Sequence, residues 1–224
     1  MYILNMAIEK EYDITFDNPH GERPWMIFPK IHGDNRGYFT EVLANANGLC
    51  LKQINRSASC QLTLRGMHAQ TGRHCQSKIV EALTLPIYDI ITDARPDSKT
   101  FGTTAIYCLD PIKQNKLYTP HGFLHGFAVP KLNNDANSMA VFTYYCDETY
   151  CHDAEIHVNP MSILPNVVSK LKDIKQYEAL LNMLDDTDNL ILSKNDLNGN
   201  DYVWQMEQFL TDYSKYGKLW YKEQ

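Results

Sequence analysis

The sequence predicts an all-β fold of antiparallel strands, a sandwich or barrel, followed by an α-helical C-terminal appendage. Two observations predict it. From about residue 26 to 158 the chain is a series of short apolar or alternating runs broken by turn residues. After residue 160 the apolar spacing changes to that of helices. No GxGxxG or GxxxxGKS/T stretch occurs, so the usual glycine-rich phosphate cradles are excluded.

The strand candidates follow in order: MIF (26–28), YFTEVL (38–43), CQLTLRGMHA (60–69), KIVEALTL (78–85) and IYDIITDA (87–94). TTAIYCL (103–109), KLYTP (116–120), LHGFAV (124–129) and MAVFTYYC (139–146) complete them. HGDNRG, RPDSKTFG, DPIKQN and KLNNDANS punctuate them with turn-forming residues. Such closely spaced short strands argue for two packed sheets or a closed barrel.

Beyond residue 160, NVVSKLKDIKQYEALLNMLDD (166–186) has apolar side chains at 167, 168, 171, 174, 181 and 184. That spacing predicts one helix, started by Pro165 and Asn166. DYVWQMEQFLTDYSKYG (201–217) predicts another, with Val203, Met206, Phe209, Leu210 and Tyr213 on one face. Asp201 would cap it and Gly217 would end it. The expected organisation is a β-domain over 1–160 and a helical extension over 161–224 packed on it.

Composition narrows the partners. The 224 residues carry 21 Lys and Arg against 27 Asp and Glu, a net charge of −6. That disfavours nucleic acid as a partner, while leaving room for a small anion held by a few cations. No apolar run approaches the roughly 18–20 residues of a membrane helix, and the first residues lack a signal-peptide pattern. The six cysteines form no CxxC pair, and a chain this long needs no disulfide staples. The expected compartment is the cytoplasm.

Several stretches hold candidate chemistry. In LRGMHAQ (64–70), strict alternation puts His68 and Gln70 on one face and Arg65 on the other, unless Gly66 marks a bulge. Lys78, Asp89 and Asp93 punctuate apolar strands, where a solvated side chain is the simpler reading. In TPHGFLHGF (119–127), Pro120, Gly122 and His125 match the PxGxxH second half of a cupin signature. Metal-binding cupins add an HxH pair and a glutamate, whereas GMHAQTGRHC offers a single His68 in that place. A metal site is therefore not expected, and His121, beside a turn, is expected to face solvent. VFTYYCDETYCHDAE (141–155) holds three tyrosines, for which packing is the simplest account.

Taken together, eight stretches in order resemble the nucleotide-sugar 3,5-epimerase family typified by dTDP-4-dehydrorhamnose 3,5-epimerase. They are GDNRGYFTE, QINRSAS, LRGMHAQ, QSKIV, DARPDSKTFG, TPHGFLHGF, YYCDETY and LSKND. The resemblance implies a cupin-type jelly roll, a homodimer, and a nucleoside-diphosphate 4-keto-6-deoxy sugar as substrate. The 4-keto group acidifies the neighbouring C–H bonds, so a base and an acid suffice, without metal or cofactor.

The resemblance also assigns roles. His68 would be the base, a histidine that titrates near neutral pH. Asp196, in LSKND, would orient it. Lys78 would stabilise the enolate oxygen. Tyr144, six residues before Tyr150, would be the opposite-face acid, with Tyr145 the rival. Arg36 and Arg65 would pair with the diphosphate. Gln53, Asn55, Phe39, Glu41 and Tyr150 would hold the nucleotide. Asp89 and His125 would line the sugar pocket, and the segment carrying Arg36 and Glu41 would reach the partner's site.

The sequence departs from the family at His32, Ile54, Leu85-Pro86, Asn195 and VNP (158–160). These departures leave open a single-centre epimerase, a ketoisomerase or a non-catalytic nucleotide-sugar-binding cupin.

Overall fold

Asp93 and Arg95 show how the chain closes on itself: the Arg95 guanidinium is buried and pairs with Asp93 at 2.8 Å. It also donates to the carbonyls of Asp17 and Glu22, which ties the N-terminal segment across the sheet. This computed structural model describes residues 14–19, 21–43, 50–132, 135, 137–168, 170–172 and 174–216.

Twelve strands are present among the described residues. They are β1 (Trp25–Ile27), β2 (Ile31–Asp34), β3 (Gly37–Thr40), β4 (Gln53–Cys60), β5 (Thr63–Gln70) and β6 (Lys78–Ala82). Then come β7 (Ile87–Asp93), β8 (Thr104–Leu109), β9 (Lys116–Thr119), β10 (Phe123–Val129), β11 (Met139–Cys146) and β12 (Glu155–His157). One five-stranded sheet has the order β1-β9-β6-β11-β4, the other β12-β5-β10-β7-β8. All their pairings are antiparallel. β2 and β3 form a separate two-stranded hairpin.

Side-chain alternation sorts each strand between two cores. Between the sheets lie Val80, Ile87, Ile91, Phe123, Phe127 and Phe142. Between the second sheet and the C-terminal segments lie Leu64, Met67, Ile90, Leu124, Ala128, Leu171, Tyr177 and Phe209. Ile90 and Ile91 are adjacent, fully buried, and belong to different cores. Each stabilises its own layer by roughly 1.5–3 kcal/mol. This double burial is why IYDIITD, although Asp89, Thr92 and Asp93 interrupt its apolar residues, shows no clean alternation.

The helical segment differs from its sequence pattern. Instead of one helix over 166–186 there is a single turn, α1 (Pro165–Val168), and then α2 (Glu178–Asp185). Between them Ile174 is extended (φ −109°, ψ 104°). The sheet decides this: the Tyr177 hydroxyl donates to the Ile106 carbonyl, and that of Tyr88 to the Gln176 carbonyl. Those anchors hold the chain flat against the sheet, which outweighs helix propensity. The Asn166 side chain lies outside the described residues.

The last helices are α3 (Lys194–Leu197) and α4 (Tyr202–Tyr216). Asp201 caps α4 as expected, its Oδ1 accepting from the Val203 and Trp204 N–H groups. The buried face is rotated from the expected one. Gln205, Met206 and Phe209 are buried, whereas Val203 and Leu210 are exposed. The Tyr213 side chain and Gly217 lie outside the described residues.

Three strands were not legible as strands. β4 reads as polar because its inward residues, Gln53, Asn55, Ser57 and Ser59, are polar, while Ile54, Ala58 and Cys60 are exposed. β2 lies inside an apparent turn, and β12 has only three residues.

Candidate active site

Gly66 sets the site. It has φ +102°, and a Cβ there would lie 2.6 Å from the Gly126 Cα. A Cβ on Gly126 would in turn lie 2.5 Å from the Arg65 carbonyl oxygen. Two glycines therefore let β5 and β10 pinch together, and the pairing register shifts between His125 and Phe127. Because of that shift, Leu64, Met67 and Ala69 all face the outer core. Arg65 and His68 consequently share the inner face, where strict alternation would have separated them.

Asp196 reaches His68 from 128 residues away, its Oδ1 2.8 Å from His68 Nε2. The chain around it is stitched to the sheet. Ile191 exchanges backbone hydrogen bonds with Leu62 and Leu64, and Asn200 with His157 and Asn159. Within α3, the N-cap Ser193 accepts from the Asp196 N–H, and its hydroxyl donates to Asp196 Oδ2. Burial raises the Asp196 pKa, but hydrogen bonds from His68, Ser193 and the Gly66 N–H outweigh it and leave the carboxyl below its ordinary value. The ionised carboxylate accepts from Nε2–H, which leaves His68 Nδ1 as the basic nitrogen.

On the facing wall, Tyr144 is on the inner side of β11 and packs beside Phe142. Burial and Cys146 raise its pKa, Arg65 opposes them, and Glu155 adds to the rise. Tyr145 points the other way, and its hydroxyl donates to Glu81 on the outer face. Lys78 opens β6 on the same side as Val80 and acts electrostatically on both Asp89 and Cys146.

Asp89 is fully buried and takes a hydrogen bond from His125 Nε2 at 2.9 Å. Burial raises its pKa, and His125 and Lys78 hold it down in part. Its other oxygen, Oδ1, is buried with no hydrogen-bond partner among the described residues. Gln53 donates to Asn55 and accepts from the Tyr150 N–H, so these three form one rim. The Tyr150 hydroxyl donates to Glu155, which pushes its pKa up to about 12.

One expectation changes. His121 is not a solvent-facing residue: it is largely buried, with Nε2 2.8 Å from Asp147 Oδ2. The crossover from β9 to β10 folds it back toward Asp147, which also accepts from the Ser77 N–H. Arg36, Phe39 and Glu41 are not brought to this cavity. Phe39 is 69% exposed on the β2–β3 hairpin, Arg36 pairs with Asp34, and Glu41 is exposed just beyond it.

The sequence reading missed Glu155 and His157. Both sit on β12, which pairs His157 with His68 and Glu155 with Gln70. The His157 ring stands 4.5 Å from that of His68, edge to face. Glu155 approaches His68 Nδ1 at 3.9 Å and His157 Nε2 at 3.2 Å. The alternating polar residues around Ile156 were the available signal. One donor atom from each of His68, His157 and Asp196 lies within 4.8 Å of the other two.

A jelly roll that faces a carboxylate-held histidine with a half-buried tyrosine suits an isomerase of the proton-moving kind. Comparison with known proteins makes this specific. Residues 22–199 match the family model for dTDP-4-dehydrorhamnose 3,5-epimerase, and the chain belongs to that family. The Shigella flexneri enzyme of that name is 30% identical over 186 residues, covering 80% of this chain and 91% of that one. The Elizabethkingia anophelis crystal structure superimposes with a TM-score of 0.63 at 28% identity, covering 84% of this chain and 96% of that one. The Legionella pneumophila dTDP-6-deoxy-D-glucose-3,5-epimerase, solved with dTDP-4-keto-L-rhamnose, gives 0.65 at 25%, covering 88% and 96%.

Proposed function

We propose that this chain is a nucleotide-sugar epimerase. It inverts C3, C5 or both of a nucleoside-diphosphate 4-keto-6-deoxyhexose, of the dTDP-4-dehydro-6-deoxyglucose type. One observation carries the reading: His68 and Tyr144 stand on the inner faces of opposite sheets. Inversion requires a proton to leave one face of the ring and return to the other. A sugar held between the sheets would meet the base on one side and the acid on the other.

His68 Nδ1 takes the proton from the carbon beside the keto group. Asp196 stabilises the imidazolium that forms. Charge moves onto the keto oxygen, where the Lys78 ammonium stabilises the enolate. Tyr144 returns a proton from the opposite wall and is recharged from solvent. The substrate's own carbonyl is the electron sink, so these steps need no redox cofactor. Arg65 pairs with the diphosphate, and Gln53, Asn55 and Tyr150 hold the nucleoside.

The exposed β2–β3 hairpin fits the same reading. Arg36, Phe39 and Glu41 would complete the site of a second copy, making the working unit a homodimer. Six free cysteines suit a reducing cytoplasm. No helix among the described residues is long and apolar enough to cross a membrane.

The test is proton NMR in deuterated water with dTDP-4-keto-6-deoxyglucose. Deuterium should enter at C3, C5 or both in the native chain and at neither in His68→Ala. Undiminished exchange in that variant would overturn the assignment.

A further inference from the structure

We propose that His68, His157 and Asp196 form a binding site for a zinc-class divalent ion, and that the ion switches the base off. The inhibitory consequence rests on the reading of His68 as base; the binding does not. Two imidazoles and a carboxylate are a donor set that zinc accepts, leaving a fourth position for water. The three residues come from β5, β12 and α3, and one donor atom from each lies within 4.8 Å of the others. None is a flexible surface group: Asp196 is buried, and both histidines are largely covered.

The surroundings fit a metal better than they fit an idle histidine. A ligating histidine usually gives its second nitrogen to a carboxylate, which fixes its tautomer. His157 Nε2 lies 3.2 Å from Glu155, which in turn is held by the Tyr150 hydroxyl. The other nitrogen, Nδ1, is buried and has no hydrogen-bond partner among the described residues. A buried, unpartnered lone pair is costly unless something uses it. Asp196 is prepared in the same way, with Ser193 on Oδ2 and Oδ1 left toward His68.

Ligands of a tetrahedral zinc stand about 3.3 Å apart, given bonds near 2.0–2.1 Å. The 2.8 Å contact of His68 with Asp196 therefore has to open only slightly. With the ion on Nε2, the His68 hydrogen passes through solvent from Nε2 to Nδ1. There it faces Glu155 Oε1, now 3.9 Å away. No lone pair is left on His68 to take a proton from substrate.

The experiment titrates the metal-free chain with Zn²⁺ by calorimetry and with Co²⁺ by visible absorption, and follows epimerisation in parallel. One ion per chain should bind, with d–d bands of a low-coordinate N/O site and no thiolate charge-transfer band, and EDTA should reverse it. His157→Ala should weaken binding at least about tenfold, and the epimerisation that the variant retains should resist inhibition by the metal. His157→Gln removes the donor nitrogen with less disturbance to packing and should behave alike. Glu155→Gln should weaken binding about tenfold through the tautomer of His157. Equal affinity in native and His157 variants, or a thiolate band, overturns the site. Binding without inhibition overturns the switch. A metal-free native chain that does not epimerise defeats the enzyme reading, while the cobalt spectrum still decides the site.

Discussion

His68 on β5 and Asp196 on α3, 128 residues apart, are joined by a 2.8 Å hydrogen bond. Asp196→Asn keeps the shape and loses the charge that holds the imidazole in its working tautomer. The turnover rate should fall about 10³-fold or more, on the scale seen when a histidine's carboxylate partner is neutralised. A steady-state comparison with native protein checks this; a loss below tenfold would remove Asp196 from its role.

The same carboxylate has a pH signature. Its pKa is lower in the folded chain than in the unfolded one, so the unfolded chain binds the proton more tightly. Its contribution to stability is present above the ordinary carboxylate value of 3.8 and is lost as pH falls through the depressed folded value. Urea curves of native and Asp196→Asn protein should therefore differ most near neutral pH and converge in acid. Curves that diverge toward acid would contradict this sign.

Tyr144 and Tyr145 separate chemistry from packing. Tyr144→Phe should lower inversion by about 10²–10⁴-fold while exchange at the His68 face persists. Tyr145→Phe should leave turnover near native and cost about 1 kcal/mol of stability through the lost bond to Glu81. Reversed outcomes would transfer the acid role to Tyr145.

Gly66→Ala tests the pinch between β5 and β10. The new methyl would meet the Gly126 Cα at 2.6 Å and the His125 carbonyl at 2.7 Å, at a φ of +102°. A destabilisation of about 2–4 kcal/mol is expected from backbone strain and overpacking. Denaturant unfolding measures it, and a near-native midpoint would show that the strands can part freely.

Mixed dimers test the hairpin. His68→Ala and Arg36→Ala should each be nearly inactive alone. Refolded together, they should regain activity, because one of the two sites in a mixed dimer would hold both native residues. No recovery would place Arg36 in its own chain's site.

Much of the fold and of the candidate site is legible in the sequence. The LRGMH, QSKIV and YYC stretches pointed to His68, Lys78 and Tyr144 through their resemblance to the epimerase family. Glu155 and His157 escaped because β12 is three residues long and gains its strand character only by pairing with β5. The break before α2 escaped because apolar spacing records which side chains seek burial and not whether the backbone between them stays helical. His121 escaped because a turn residue is judged exposed until its partner, Asp147, is brought against it.

Local pattern alone determined the all-β class, the change to helices near residue 160 and the residue types available for proton transfer. These depend on periodicity and composition, which a linear chain already contains. Tertiary structure decided the rest: that Arg65 and His68 share a face, that Tyr144 and not Tyr145 looks inward, and that Asp196 lies under His68. Each depends on a register or a return path set by contacts far apart in sequence. A single extra residue at Gly66 is enough to reverse which side chains face the cavity.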